Sequence, residues 1–166
     1  MSALNRFQLN GCTPPYSECA AGGAQGATDN RLTRLLTEKR VPVRAFVRRV
    51  DDRSDVLREL GAEIFVGDLV DIQSVRQALK GIESMYFCYP VQADLLEATA
   101  ILAQAAREED LQFIFQLSSG SSSDQSPSPW GRKAWLPEQI LVWSGIPRRS
   151  RPCPSSLVQR AACAAT

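Results

Sequence analysis

Two glycines, two arginines and one aspartate carry most of the chemistry this chain can offer. Gly23-x-x-Gly26-x-x-Asp29 precedes a helical pattern. Glycines at that spacing allow positive φ and let backbone N–H groups close on a pyrophosphate at a helix N-terminus. The third position, often a glycine that permits tight helix–strand packing, is Asp29, whose carboxylate repels phosphate. An ordinary helix-entry turn fits the same residues. Further on, Val41–Val47 runs into Arg48-Arg49. At the end of a second parallel strand, an acidic residue bonds a ribose 2′-hydroxyl, whereas arginine accommodates a 2′-phosphate. No Asp or Glu lies between Val43 and Val50. A dinucleotide bound here is therefore expected to be NADP(H). The competing reading is a solvated basic patch of Arg44, Arg48, Arg49 and Arg53. Asp68, in Gly67-Asp-Leu-Val-Asp71, follows a third strand, where its carboxylate can accept from an adenine amino group. A turn at Gly67-Asp68 with a helix cap at Asp71 is the plain alternative, and both can hold together.

Composition removes other chemistries. The 166 residues include no histidine, which excludes Ser-His-Asp and Cys-His catalysis and zinc sites with His ligands. No metal site is expected. Cys12, Cys19, Cys88, Cys153 and Cys163 are odd in number and lack C-x-x-C spacing, which suits reduced thiols in a cytoplasmic protein. Nineteen basic against eighteen acidic residues leave a net charge of +1, so global charge offers nucleic acid nothing. The arginine clusters at 44–53 and 148–151 come with no recognition motif. No apolar run reaches the roughly 18 residues of a membrane helix, and the first residues lack a secretory layout.

The elements that must position these residues alternate. Leu32, Leu35 and Leu36 mark a first helix, with Asp29 or Asn30 as its cap. Val41–Val47 reads as a strand. Val56, Leu57 and Leu60 mark a helix ended by Gly61, and Glu63–Val66 a strand. Val75, Ala78 and Leu79 mark a helix ended by Gly81, and Ser84–Cys88 a strand. Leu95–Ala106 is a long amphipathic helix and Phe113–Leu117 a strand. Ser118–Pro129, with seven serines and two prolines, reads as a mobile loop. Pro137–Trp143 is a last helix with Pro137 in its first turn. Strands that alternate with crossover helices pair in parallel, which predicts an α/β doubly wound sheet in three layers. Residues 1–21 read as an irregular segment, 22–147 as the Rossmann-like domain, and 148–166 as a poorly ordered tail without a strand.

Leu32 to Leu117 resembles the NmrA-like family of atypical short-chain dehydrogenases. The matching pieces are Arg34–Lys39, Val43–Arg49, Leu60–Leu69, Tyr86–Pro90 and Leu96–Ala100, with Trp143–Pro147 beyond them. The resemblance implies a Rossmann-like domain that binds NADP(H), in a family containing reductases as well as redox sensors and co-regulators. It assigns Gly23 and Gly26 to the pyrophosphate loop, or in a second register Gly26-Ala-Thr28. It places Arg48 and Arg49 on the 2′-phosphate, and Asp68 with Leu69 on the adenine. Cys88, Tyr89 and Pro90 would flank the nicotinamide ribose, and Ser118 would lie near the nicotinamide.

The departures shape the functional expectation. Tyr16–Ala21 replaces the family's apolar first strand and is a poor strand former. The Tyr-x-x-x-Lys pair of related dehydrogenases has become Trp130-Gly-Arg-Lys-Ala134, with Lys133 one residue off the spacing and read as a surface lysine. The family's C-terminal continuation is missing, which suggests a truncated or altered-frame product. Three readings follow. The first is an NADP(H)-binding sensor or regulator with little turnover and a possible protein partner. The second is an NADPH-dependent oxidoreductase acting on quinone-like or carbonyl acceptors. The third is a scaffold that has lost the nucleotide.

Overall fold

A computed structural model of the chain describes residues 19–22 and 27–153. The elements are β1 (Cys19–Gly22), α1 (Ala27–Glu38), β2 (Val43–Val47), α2 (Asp52–Glu59), β3 (Glu63–Val66), α3 (Ile72–Leu79), β4 (Ser84–Phe87), α4 (Leu95–Glu108), β5 (Phe113–Ser119), α5 (Pro129–Trp143) and β6 (Arg148–Cys153). Every strand pair is parallel, in the order β3-β2-β1-β4-β5-β6. This is the doubly wound α/β sheet that the alternation of patterns predicts.

Side-chain alternation sorts the helices onto two faces. Val43, Ala45 and Val47 of β2 pack with Leu57 of α2 and Leu36 of α1. Met85, Phe87 and Ile114 point the other way, into a cluster with Leu79 of α3, Leu102 of α4 and Leu141 of α5. All four residues of β4 are buried, as expected of a strand covered on both faces. Aspartates set the helix starts. Asp51 caps α2 through a capping box with Ser54, and Asp71 caps α3 by accepting from the Gln73 and Ser74 amides. Gly61 and Gly81, at φ of 92° and 73°, end the same two helices in the left-handed region.

The structure differs from the sequence-based expectation in five places. Cys19–Gly22 is a strand, and it occupies the centre of the sheet between β2 and β4. Small residues are weak strand formers alone, but ladder pairing on both sides overrides propensity. Arg148–Cys153 is also a strand, paired along β5 from Ile114↔Arg148 to Ser119↔Cys153. An edge position tolerates its arginines and Pro152. Helix α1 begins at Ala27, so Asp29 and Asn30 lie inside its first turn instead of capping it. Helix α5 begins at Pro129, so Pro137 is interior and fully buried. A first-turn proline is pre-organised for a helix start, and Pro129 takes that role.

The fifth difference is the serine loop. Ser118 and Ser119 belong to β5, and much of the remainder is fastened to α5. A Cβ on Gly131 would stand 2.2 Å from the Ser121 carbonyl oxygen and 2.2 Å from Ser126 Oγ, so α5 touches the loop where it has no side chain. Arg132 Nη1 donates to the Ser126 carbonyl at 2.6 Å. Ser126 is buried against α5, while Gly120, Ser121, Asp124, Gln125 and Pro127 are exposed.

Candidate functional site at the carboxyl edge of the sheet

Parallel pairing puts the carboxyl ends of all six strands along one edge. From β1 the chain crosses to β2 on one side, while β4 lies on the other, so the order reverses at β1. In sheets of this kind such a reversal is where ligands bind. The chain leaves β1 at Gly22 and enters α1 at Ala27. The N-terminus of α1, with its unpaired amides, follows directly on the middle strand. Gly23 and Gly26 lie outside the described residues. Thr28 is the second residue of α1.

Arg48 stands just past β2 with its side chain 67% exposed. Its guanidinium donates to Asp68 Oδ2 through Nη2 at 3.0 Å and Nε at 3.3 Å. Asp68 Oδ1 accepts from the Val70 amide at 3.1 Å. That backbone bond, followed by the bond to Arg48, holds the Asp68 carboxyl below its ordinary range against the effect of burial. Arg48 is held above its ordinary value, first by the bond to Asp68 and then by that carboxylate's charge, with smaller contributions from Tyr89 and Asp94. The ends of β2, β3 and β4 thus share one electrostatic environment. Arg49, also exposed, approaches Asp51 at 3.9 Å. The alternative reading of a common basic patch does not describe this arrangement. Arg44 sits at the start of β2, bonded to Glu63 and to the Ala78 and Lys80 carbonyls, and Arg53 pairs with Asp51.

After β4 come Cys88 and Tyr89, both half-buried, and the exposed Pro90. The Tyr89 hydroxyl donates to Asp94 Oδ2 at 2.6 Å. Burial first, and the neighbouring Asp94 second, push the phenol up to about 12. Leu69 is buried in the core, so only its backbone is available to a ligand at the edge. Ser118 extends β5 two residues beyond the pair Phe87↔Gln116, and its hydroxyl bonds Glu138 Oε1 of α5 at 2.5 Å. Trp130 is 61% exposed, and Lys133 Nζ lies 6.0 Å from its ring centroid. A lysine above an exposed indole is a surface pair. Asp94, Gly131 and Glu138 are site residues that sequence reasoning misses. Only the five-residue step from Tyr89 to Asp94 offers a signal, and nothing in the sequence marks Glu138 as facing Ser118.

Residues 23–145 match the model of a family described as NAD(P)H-binding. The chain belongs to the NAD(P)H-binding family. Among curated relatives, the NAD(P)H azoreductase of Xenophilus azovorans is 29% identical over 117 residues, 70% of this chain and 40% of the relative. Sterol demethylase protein B of Methylococcus capsulatus is 32% identical over 124 residues, 68% of this chain and 38% of the relative. The chain therefore spans about two fifths of the length of these relatives. Two solved structures share the fold. Triphenylmethane reductase of a Citrobacter species, complexed with NADP(H), has a TM-score of 0.68 at 23% identity over 80% of this chain and 48% of that one. An NADPH-dependent quinone oxidoreductase of Escherichia coli, complexed with NADPH, has a TM-score of 0.69 at 22% identity over 80% and 47%. The NmrA-like resemblance agrees with membership of the NAD(P)H-binding family. Among the described residues, no helix is long and apolar enough to cross a membrane.

The site's residues fit a phosphorylated dinucleotide. Helix-terminal amides follow the central strand, and a guanidinium two-thirds exposed stands past the end of the neighbouring strand β2. Asp68 offers an acceptor within the same edge.

Proposed function

We propose that this NAD(P)H-binding domain takes NADP(H) and supports reduction of an acceptor in the manner of an NADPH-dependent oxidoreductase. The observation that carries the reading is the exposed Arg48 guanidinium at the mouth of β2, beside the strand-order reversal. The α1 N-terminus, with Gly23, Gly26 and Thr28 leading into it, would receive the pyrophosphate. Arg48 and Arg49 would meet the 2′-phosphate, and Asp68 the adenine amino group. Cys88, Tyr89 and Pro90 would line the ribose, and Ser118 the far end of the crevice. The reduced nicotinamide supplies a hydride when bound.

The protein's own part is to bind and orient, because its candidate acids are poor. Tyr89 keeps its proton, with its hydroxyl committed to Asp94 and its pKa pushed up to about 12. Trp130 stands where related dehydrogenases carry a phenol. A general acid must lie within bonding reach of the acceptor, so acceptors that draw their proton from water suit this domain best. The relatives named for azo, quinone and triphenylmethane reduction point the same way.

Titration with NADPH, followed by nucleotide fluorescence, tests the binding step. We expect saturable binding that Arg48→Glu weakens about tenfold or more, since the charge reversal removes one phosphate contact and adds repulsion. No binding at millimolar nucleotide overturns the reading. Trp130 favours a second reading, a nucleotide sensor with little turnover. NADPH consumption with quinone and azo acceptors separates the two: binding without consumption selects the sensor.

A further inference from the structure

We propose that Ser118 and Glu138 together form a subsite that only accepts hydrogen bonds, taking an N–H donor or cationic group and refusing a carboxylate. The inference rests on the nucleotide reading only for where such a group comes from. The direction of the bonds carries the proposal. Ser118 Oγ has two partners, Glu138 Oε1 at 2.5 Å and the Ser119 carbonyl oxygen at 3.2 Å. Both are acceptors. The hydroxyl has one proton, and it is spent on them. What Ser118 presents to a ligand is therefore lone pairs.

Glu138 adds charge to that polarity. It is half-buried on α5, and among the described residues it forms no ion pair and its Oε2 has no hydrogen-bond partner. Partial burial strengthens its field relative to a carboxylate fully in water. The support is a set of close contacts. Gly131 locks the serine loop against α5, and Arg132 holds the Ser126 carbonyl. Ser118 lies two residues beyond the last pair between β4 and β5, at the carboxyl edge of the sheet. A hydroxyl committed in this way cannot donate to a substrate carbonyl oxygen. The subsite instead matches a primary amide, an amidinium or an amine.

Two sources can supply that group: the carboxamide of the dinucleotide itself, or an amino or amidinium group on the acceptor. The full chain distinguishes them. One arm compares NADP with its nicotinic-acid analogue, in which the amide is a carboxylate, by displacement of NADPH fluorescence. The other compares benzamidinium with benzoate by thermal shift. If the carboxamide is the ligand, the wild type binds NADP roughly tenfold or more tightly than the acid analogue, the size expected when a polar site meets the wrong partner. Glu138→Gln keeps the acceptor for Ser118 and removes the charge, so it brings the two nucleotides to within about threefold. Ser118→Ala leaves the charge, so it weakens NADP yet still disfavours the acid analogue. If the acceptor is the source, benzamidinium alone stabilises the wild type and Glu138→Gln abolishes the effect. Equal treatment of both pairs, or a preference that survives Glu138→Gln, overturns the proposal. Failure of every nucleotide to bind overturns the nucleotide reading instead, and the benzamidinium arm still decides this one.

Discussion

At the scale of single residues, the site is a set of groups already spoken for. Arg48 is exposed, yet its fork is engaged by Asp68, so a 2′-phosphate received there as proposed would compete with a carboxylate for the same N–H groups. Asp68 in turn also accepts from the Val70 amide. Replacing Asp68 with Asn removes the charge and keeps an acceptor for Val70. The expected result is a preference for NADP over NAD that rises about three- to tenfold, because the freed guanidinium gains a charge-assisted partner. Parallel titrations with the two nucleotides measure it. An unchanged ratio would show that Arg48 does not meet the 2′-phosphate. Tyr89 shows the same economy: burial and Asp94 keep its proton in place, so it can hold a ribose hydroxyl but serves poorly as an acid.

At the scale of elements, two contacts tie helices to their neighbours, one at the carboxyl edge and one away from it. The first is between α5 and the serine loop, where Gly131 admits the Ser121 carbonyl and Ser126. Gly131→Ala forces backbone apart, and overpacking of that kind costs about 1–3 kcal/mol. Denaturant unfolding should show the loss, along with weaker nucleotide binding if the loop frames the crevice. The second is between α3 and α4, where Arg76 bonds both oxygens of Glu108 at 2.6 and 2.8 Å. Bonds from Arg76 and then Gln104 hold Glu108 down to about 2. A carboxyl depressed in the folded state adds stability above its unfolded pKa of about 4.3, and this is lost as pH falls towards 2. Glu108→Gln should therefore lower stability at neutral pH and flatten its decline between about pH 4.3 and 2; an unchanged acid limb would refute the pairing. The elements around both contacts were largely legible beforehand. Leu57, Leu79 and Leu102 sit at helical spacing, and Phe46, Phe87 and Ile114 lie in short β-rich runs, so local pattern and burial agree. The serine loop, the early start of α5 and the Ser118–Glu138 bond were not legible, because each depends on close approach between distant segments and leaves no period in the sequence.

At the scale of the whole molecule, the sheet turns on a central strand of four residues. Cys19–Gly22 pairs with β2 on one side and β4 on the other, joining the β3–β2 half of the sheet to the β4–β5–β6 half. Composition gave no sign of this strand, because its place is fixed by two neighbours and not by its own propensity. Its backbone ladder links the two halves in the strand order. A ligand that grips the α1 N-terminus on one side and the end of β4 on the other ties them together. Anything that binds only the folded state stabilises it by about 2.7 kcal/mol at a hundredfold excess over Kd. For a domain of this size that amounts to a rise in Tm of roughly 5–10 °C. We expect NADP to produce such a rise in the wild type and a much smaller one in Arg48→Glu. Ala20→Pro, which removes a ladder N–H from the central strand, should abolish the cooperative transition, since a proline is not tolerated between two paired neighbours. If Ala20→Pro melts like the wild type, the middle strand does not join the halves. If NADP leaves Tm unmoved in the wild type, the crevice beside that strand is not a nucleotide site, and the scaffold reading takes its place.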